Sequence, residues 1–223
     1  MKTILVTLAI CSFALIPATF SAIPTVFPTG TTIYNPDKAW SGYTIFGAAG
    51  AVGPVLIDMN GNVVRQWEGS SHPPKLLPGG YLMRRGVGES SDFGQEDWDG
   101  NVVWKLENSG QHHDFQREGN PVGYYVPGMD PLVDRGKTLI LSRKLVKNPK
   151  ISNEFLADDY IYEVTWDGKI VWEWLWNEHL DELGLSEAAR NTIYRHPKWQ
   201  NVQGVRATDW LHINSLSYVG PNK

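Results

Sequence analysis

The chain has 223 residues, with 20 lysines and arginines against 24 acids and a formal net charge of −4. That mild acidity argues against nucleic acid or an anionic membrane surface as a partner. A single cysteine, Cys11, rules out a disulfide framework, while ten tryptophans, nine tyrosines, 22 glycines and 14 prolines point to an all-β chain with many turns.

The chain opens on "MKTILVTLAICSFALIPATFSA", residues 1–22. Lys2 is followed by an apolar stretch, Ile4 to Ile16, that is too short to span a bilayer comfortably, and then by small residues suited to cleavage. This reads as a secretory signal peptide, so the mature protein is expected to be soluble, secreted or periplasmic, and free of the membrane. Cys11 lies inside the signal, and Ile10 before it is not the small residue a lipoprotein box needs. Residues 23–223 then form one domain or part of a larger one.

Three similar units follow. "VLIDMNGNVVRQW" (55–67), "QEDWDGNVVWKL" (95–106) and "YEVTWDGKIVWEW" (162–174) each run from a β-rich approach through Asn-Gly or Asp-Gly to paired β-branched residues and a tryptophan. Such dipeptides are strong hairpin signals, and a type I′ turn is expected at each. A histidine-led segment comes after each hairpin: "HPPKLLPGGYLM" (72–83), "HHDFQREGNPVGYYVPG" (112–128) and "HINSLSYVGPNK" (212–223). The last is delayed by "EHLDELGLSEAARNTIYRH" (178–196), whose leucine spacing and Ser186-Glu187 start predict one or two short helices.

Repeated hairpin-plus-strand units indicate a β-propeller, of which about three blades are visible. Closed rings have about 4–8 blades, so the chain reads as the first part of a longer protein. Trp67, Trp104 and Trp172 follow their turns at similar distances and are expected to be buried at equivalent places between blades.

Six histidines are present: His72, His112, His113, His179, His196 and His212. Aligning "HHDF" with "HINS" sets His112 over His212 and Asp114 over Asn214. "DWLHINSLSY" (209–218) reads as a strand, which puts His212 and Asn214 on one face. Inner strands of a propeller line a central channel, so His112, His113, Asp114, His212 and Asn214 are expected to converge there. Imidazoles in such a place act as acids, bases or nucleophiles near neutral pH, and a neighbouring carboxylate or amide fixes their orientation. A structural filling of the channel is the alternative. Metal ligation is disfavoured because adjacent His112 and His113 diverge in an extended segment and no HExxH pattern occurs. "DWDGN" (97–101) lacks the later acids of a calcium loop and reads as a hairpin turn.

With these motifs in view, "GTTIYNPDKAWSGYTIF" (30–46), "VLIDMNGNVVRQW", "LLPGGYLM" (76–83), "HHDFQREGN" (112–120) and "DWLHINSLSY" resemble the PAPS-independent arylsulfate sulfotransferase family. The resemblance implies a six-bladed propeller and an exported enzyme without cofactor. Such an enzyme moves a sulfuryl group from a phenolic sulfate ester to a phenol acceptor through a sulfated histidine. Carried over by motif, the implied catalytic residues are His212 and Asn214, together with His112 or His113. The family's arginine and nucleophilic histidine lie beyond the H-x-N segment. The expectation is therefore that this chain is a fragment that does not turn over an aryl sulfate alone. A non-catalytic secreted propeller that binds a ligand or partner protein is the alternative reading.

Overall fold

A computed structural model describes residues 31, 33–47, 53–69, 73–87, 92–119, 132–195 and 199–218. The leader (1–22), His72 and His196 lie outside the described residues. The fold is all-β and propeller-like, and the described residues build three separate sheets with no closed ring. The first sheet is β1 (Thr44–Gly47), β2 (Pro54–Ile57) and β3 (Val63–Gln66), in that order and antiparallel. The second is β4 (Lys75–Leu77), β5 (Tyr81–Arg85), β6 (Phe93–Glu96) and β7 (Val102–Leu106), a four-stranded meander. The third repeats that meander as β8 (Phe115–Arg117), β9 (Thr138–Lys147), β10 (Phe155–Val164) and β11 (Ile170–Leu175).

The insertion after β11 starts as a 3₁₀ turn, Trp176–His179, and continues to helix α1 (Glu187–Arg195). Ser186 Oγ accepts the Ala189 amide at 3.2 Å and so starts that helix. Leu180, Leu183, Leu185 and Ile193 pack with Ile151, Leu156 and Trp210, so the insertion covers one end of the third sheet. A hairpin of β12 (Trp199–Val202) and β13 (Val205–Thr208) follows. It joins β10 through one parallel pairing, Leu156 with Thr208.

The three tryptophan hairpins are present, but their turns are not type I′. Gly61, Gly100 and Gly168 have φ of 83°, 93° and 86°, while the residue before each glycine is not left-handed. The glycine amide donates to the oxygen three residues back (Gly61 to Asp58, Gly100 to Asp97, Gly168 to Thr165), and each hairpin carries a bulge. A longer turn with one left-handed glycine accounts for that pattern. The side chain at its head explains the choice: Asp58 and Asp97 each accept amides two and four residues on and the side chain of Asn62 or Asn101. These bonds, led by the asparagine side chain, hold both carboxyls below their ordinary range. They also occupy the oxygens of "DWDGN", which is a hairpin turn.

The tryptophan expectation holds twice and fails once. Trp67 and Trp104 are buried at the two junctions between sheets, whereas Trp172 is 46% exposed. Each buried ring meets the tryptophan in the next sheet's turn: Trp67 sits edge-on to Trp98 at 5.6 Å, and Trp104 stacks on Trp166 at 5.7 Å. An arginine lies over both rings at each junction, Arg65 at the first and Arg117 at the second. Burial pushes the Arg117 guanidinium down to about 10, leaving it cationic at neutral pH. Trp172 lacks such a neighbour from a further sheet among the described residues.

Candidate active site

The histidine-led segments come together at the inner end of the third sheet. Asp209 and Trp210 follow β13, and residues 211–218 run on without joining a sheet. This corrects the strand reading of "DWLHINSLSY". His212 takes φ 59°, and the backbone bend breaks the period-2 face that would unite His212 with Asn214. Asn214 is exposed, and its Nδ2 donates to the His212 carbonyl at 3.2 Å.

His113 is bent in the same way, with φ 56°, and the Asp114 amide donates to the His112 carbonyl at 2.7 Å. The segment is therefore not extended, and the two adjacent histidines do not diverge. Their rings lie 5.0 Å apart. The His113 ring is also 5.0 Å from that of His212, and the two Nε2 atoms are 3.2 Å apart. Between His112 and His113, it is His113 that faces His212.

His112 is a brace. Its Nε2 lies 3.0 Å from the Ser142 carbonyl and 3.3 Å from Asp159 Oδ1. A carbonyl only accepts, so that nitrogen carries the hydrogen. Asp159 is fully buried, and its Oδ2 accepts the Ile213 amide at 2.8 Å. Asp114, which the alignment set beside Asn214, is a clamp: it takes Lys75 Nζ at 2.6 Å, its neighbour's amide, and the Leu216 amide at 2.9 Å. Gln116 adds a third point by accepting the Tyr218 amide at 2.6 Å. Three side chains of the third sheet and its approach thus hold residues 213–218.

His212 has two partners on one nitrogen. Asp209 Oδ2 lies 2.5 Å from Nδ1, and Arg143 Nη2 lies 3.3 Å from the same atom. With hydrogen on Nδ1, His212 donates to Asp209 and leaves Nε2 to accept from His113. Hydrogen on Nε2 alone would set the Nδ1 lone pair against that carboxylate oxygen, so Nδ1 carries the hydrogen. The bond to Asp209 is kept whether or not Nε2 is also protonated, so Nε2 can take up or release a proton without stranding Nδ1. Arg143 is itself fixed by Gln200 Oε1 at 3.0 Å.

Arg143, Asp159 and Asp209 were not read as functional from the sequence. The available signal was "FLADDYIYEV": two adjacent acids inside a strand need partners on both sheet faces. Asp158 looks the other way, accepting Trp210 Nε1 at 2.7 Å and both nitrogens of Asn177. Its carboxyl is raised above the ordinary value, chiefly by desolvation. His179 is remote from the cluster, stacked on Trp174 and bonded to Glu182 at 2.7 Å. Among the described residues no group of three or more histidines, cysteines and acids is arranged to hold a metal.

A cavity of about 280 Å³ opens nearby, lined by Gln116, Lys137, Leu139, Glu163 and Tyr218 among others; the three clustered histidines do not line it.

No curated protein and no solved structure matches the chain. The family model that matches takes in "DWLHINSLSY" and leaves the other four quoted motifs outside. Residues 130–223, which carry Arg143, Asp159, Asp209 and His212, match the model described as Arylsulfotransferase (ASST), and over that segment the chain is arylsulfotransferase-like.

Proposed function

We propose that the cluster of His113, His212 and Arg143 is the sulfuryl-binding part of an aryl-sulfate sulfotransferase site, with a phenolic sulfate as donor and a phenol as acceptor. The observation that supports it is the approach of His113 Nε2 to His212 Nε2 at 3.2 Å beside a guanidinium, with His212 and Arg143 inside the family-matched segment. A sulfate ester carries its charge on the sulfuryl oxygens, and donors aimed at them stabilise the charge that grows during transfer. The donor's S–O(aryl) bond breaks as an S–N bond forms to the nucleophilic histidine that the resemblance implies, and the leaving phenolate needs a proton. The His113–His212 pair can deliver it, because Asp209 holds the Nδ1 hydrogen of His212 whether or not Nε2 is protonated. In the second half the acceptor phenol gives its proton back to the pair as its oxygen takes the sulfuryl group. The implied route passes through a sulfated histidine; His113 and His212 are assigned the donor and proton-transfer roles. Asn214 contributes through the His212 carbonyl rather than through an imidazole contact. The leader-like N-terminus supports a reading in which the protein is exported from the cytosol, which the N-terminal sequence of the mature protein checks.

The test is calorimetric binding of 4-nitrophenyl sulfate, with phenol release followed in the same samples with and without added phenol. His113→Ala and His212→Ala should each weaken binding by about tenfold or more, since a hydrogen bond to a charged group contributes about 1.5–3 kcal/mol. His179→Ala should leave binding unchanged. Equal affinity in all three variants would refute the assignment.

A further inference from the structure

The insertion that delays the third histidine-led segment supplies no member of the imidazole pair, yet it leads into the hairpin of β12 and β13, and that hairpin reaches the site. It joins the third sheet by one parallel pairing, Leu156 with Thr208. Along β12, Trp199 and Asn201 are exposed while Gln200 and Val202 are half-buried, so the face that carries Gln200 turns toward the protein. Gln200 Oε1 lies 3.0 Å from Arg143 Nη1. A guanidinium only donates, so the amide end that faces it is the oxygen. The other end, Nε2, is buried without a partner among the described residues. The hydrogen bonding of this side chain therefore goes to Arg143.

Arg143 needs such an anchor. An arginine has many rotamers, and its planar fork recognises an oxyanion well only when its direction is set. Its Nη2 lies 3.3 Å from His212 Nδ1. That nitrogen carries the hydrogen that Asp209 accepts, so it offers Nη2 no lone pair. Arg143 Nε is buried and has no partner among the described residues. Gln200 Oε1 is thus an acceptor that sets the guanidinium, and Nε is left as a donor without one. A buried donor is ordinarily paired, and leaving it unpaired is unfavourable. A cation with such a donor, beside two imidazoles, is arranged for an oxyanion that is to arrive.

We propose that Gln200 is a positioning residue for sulfuryl recognition. It holds the Arg143 guanidinium beside the His113–His212 pair so that the remaining donors meet the sulfuryl oxygens, and the β12–β13 hairpin is the arm that carries it there. This deepens the sulfuryl-transfer reading and rests on it. Without Oε1 the guanidinium is free to swing among rotamers, and a charged sulfate ester is held less well. Because Gln200 acts through Arg143, its removal should matter only while Arg143 is present.

The test uses the full chain with Gln200→Leu, which keeps much of the side-chain size and removes the acceptor, with Arg143→Met, and with both. Calorimetry should show 4-nitrophenyl sulfate bound about fivefold more weakly by Gln200→Leu and about tenfold or more weakly by Arg143→Met. Adding Gln200→Leu to Arg143→Met should weaken binding no further. Nitrogen-15 NMR of the arginine side chains reads the tether without any ligand. In the parent the bond at Nη1 should slow rotation and separate the Arg143 Nη signals, which are assigned by their loss in Arg143→Met. In Gln200→Leu they should merge, with an unchanged circular dichroism spectrum. Separate Nη signals that survive Gln200→Leu would overturn the proposal. So would an ester affinity that falls in Arg143→Met but not in Gln200→Leu, or an equal loss from Gln200→Leu with and without Arg143. Failure of the sulfuryl reading looks different: every variant, His113→Ala and His212→Ala included, then behaves toward the ester as the parent does.

Discussion

The two histidine-led segments begin alike and end differently. Both put a left-handed histidine at the inner end of a sheet, His113 at φ 56° and His212 at φ 59°. After the first, the chain enters β8 and is held by ladder hydrogen bonds to β9. After the second, residues 213–218 run on with no ladder, and Asp159, Asp114 and Gln116 hold the amides of Ile213, Leu216 and Tyr218 instead. The first is fixed by backbone, which any sequence of suitable propensity supplies. The second is fixed by a few buried side chains, so single substitutions should release it while leaving the first intact.

Asp159→Ala is the largest such perturbation. It strands the Ile213 amide and removes the carboxylate beside His112, a loss of about 2–3 kcal/mol for a buried hydrogen-bonded charge. Urea denaturation should show that cost. Hydrogen exchange should speed at Ile213 and Leu216 far more than at Gln116 and Arg117. Equal acceleration in both segments would mean that they are held in the same way. Lys75→Met is milder. It removes the 2.6 Å ion pair to Asp114 and leaves that carboxylate with the Leu216 and Phe115 amides. The pair is only partly buried, so about 1 kcal/mol is expected, read as a small fall in urea midpoint without a change of slope.

The sequence carried the parts of this comparison that depend on local chemistry. Glycine-bearing turns, paired β-branched residues and the placement of Trp67 and Trp104 follow from turn preferences and strand period, and the three sheets lie where the hairpins were read. The turn type was misread because Asp-Gly and Asn-Gly serve more than one hairpin; the aspartate heading Asp58–Gly61 and Asp97–Gly100 selects the longer turn. The run after His212 was misread for a different reason. Period-2 reasoning assumes a continuous extended backbone, and a left-handed histidine breaks it, so Asn214 left the cluster and Asp209 entered it. Arg143 and Asp159 were not assigned because a charged residue in a strand, even one of two adjacent acids, gives no sign of what a segment 50 or more residues later brings to it. Trp172 followed the pattern in register but not in burial, since burial is set by a neighbouring sheet and not by the hairpin itself.

The smallest effect separates the two faces of the adjacent acids. Asp159 serves the histidine side, while Asp158 anchors Trp210 and Asn177 just before the segment departs. Desolvation raises the Asp158 carboxyl above its ordinary 3.8, against the opposing hydrogen bonds from Asn177 and Trp210. The folded chain therefore keeps this proton at pH values where the unfolded chain has lost it. Stability from this group is fullest below 3.8 and declines as pH rises from there to the raised folded value, because the folded state binds more protons across that window. Asp158→Asn removes the titration and also sets an amide NH₂ against donors, so the variant should be less stable overall. Its disadvantage relative to the parent should shrink as pH climbs through the window and then level off. Urea midpoints of both proteins at half-unit steps from pH 3 to 7 give that difference directly. A disadvantage that grows with pH would mean that the three donors outweigh desolvation and that Asp158 folds as a favoured anion.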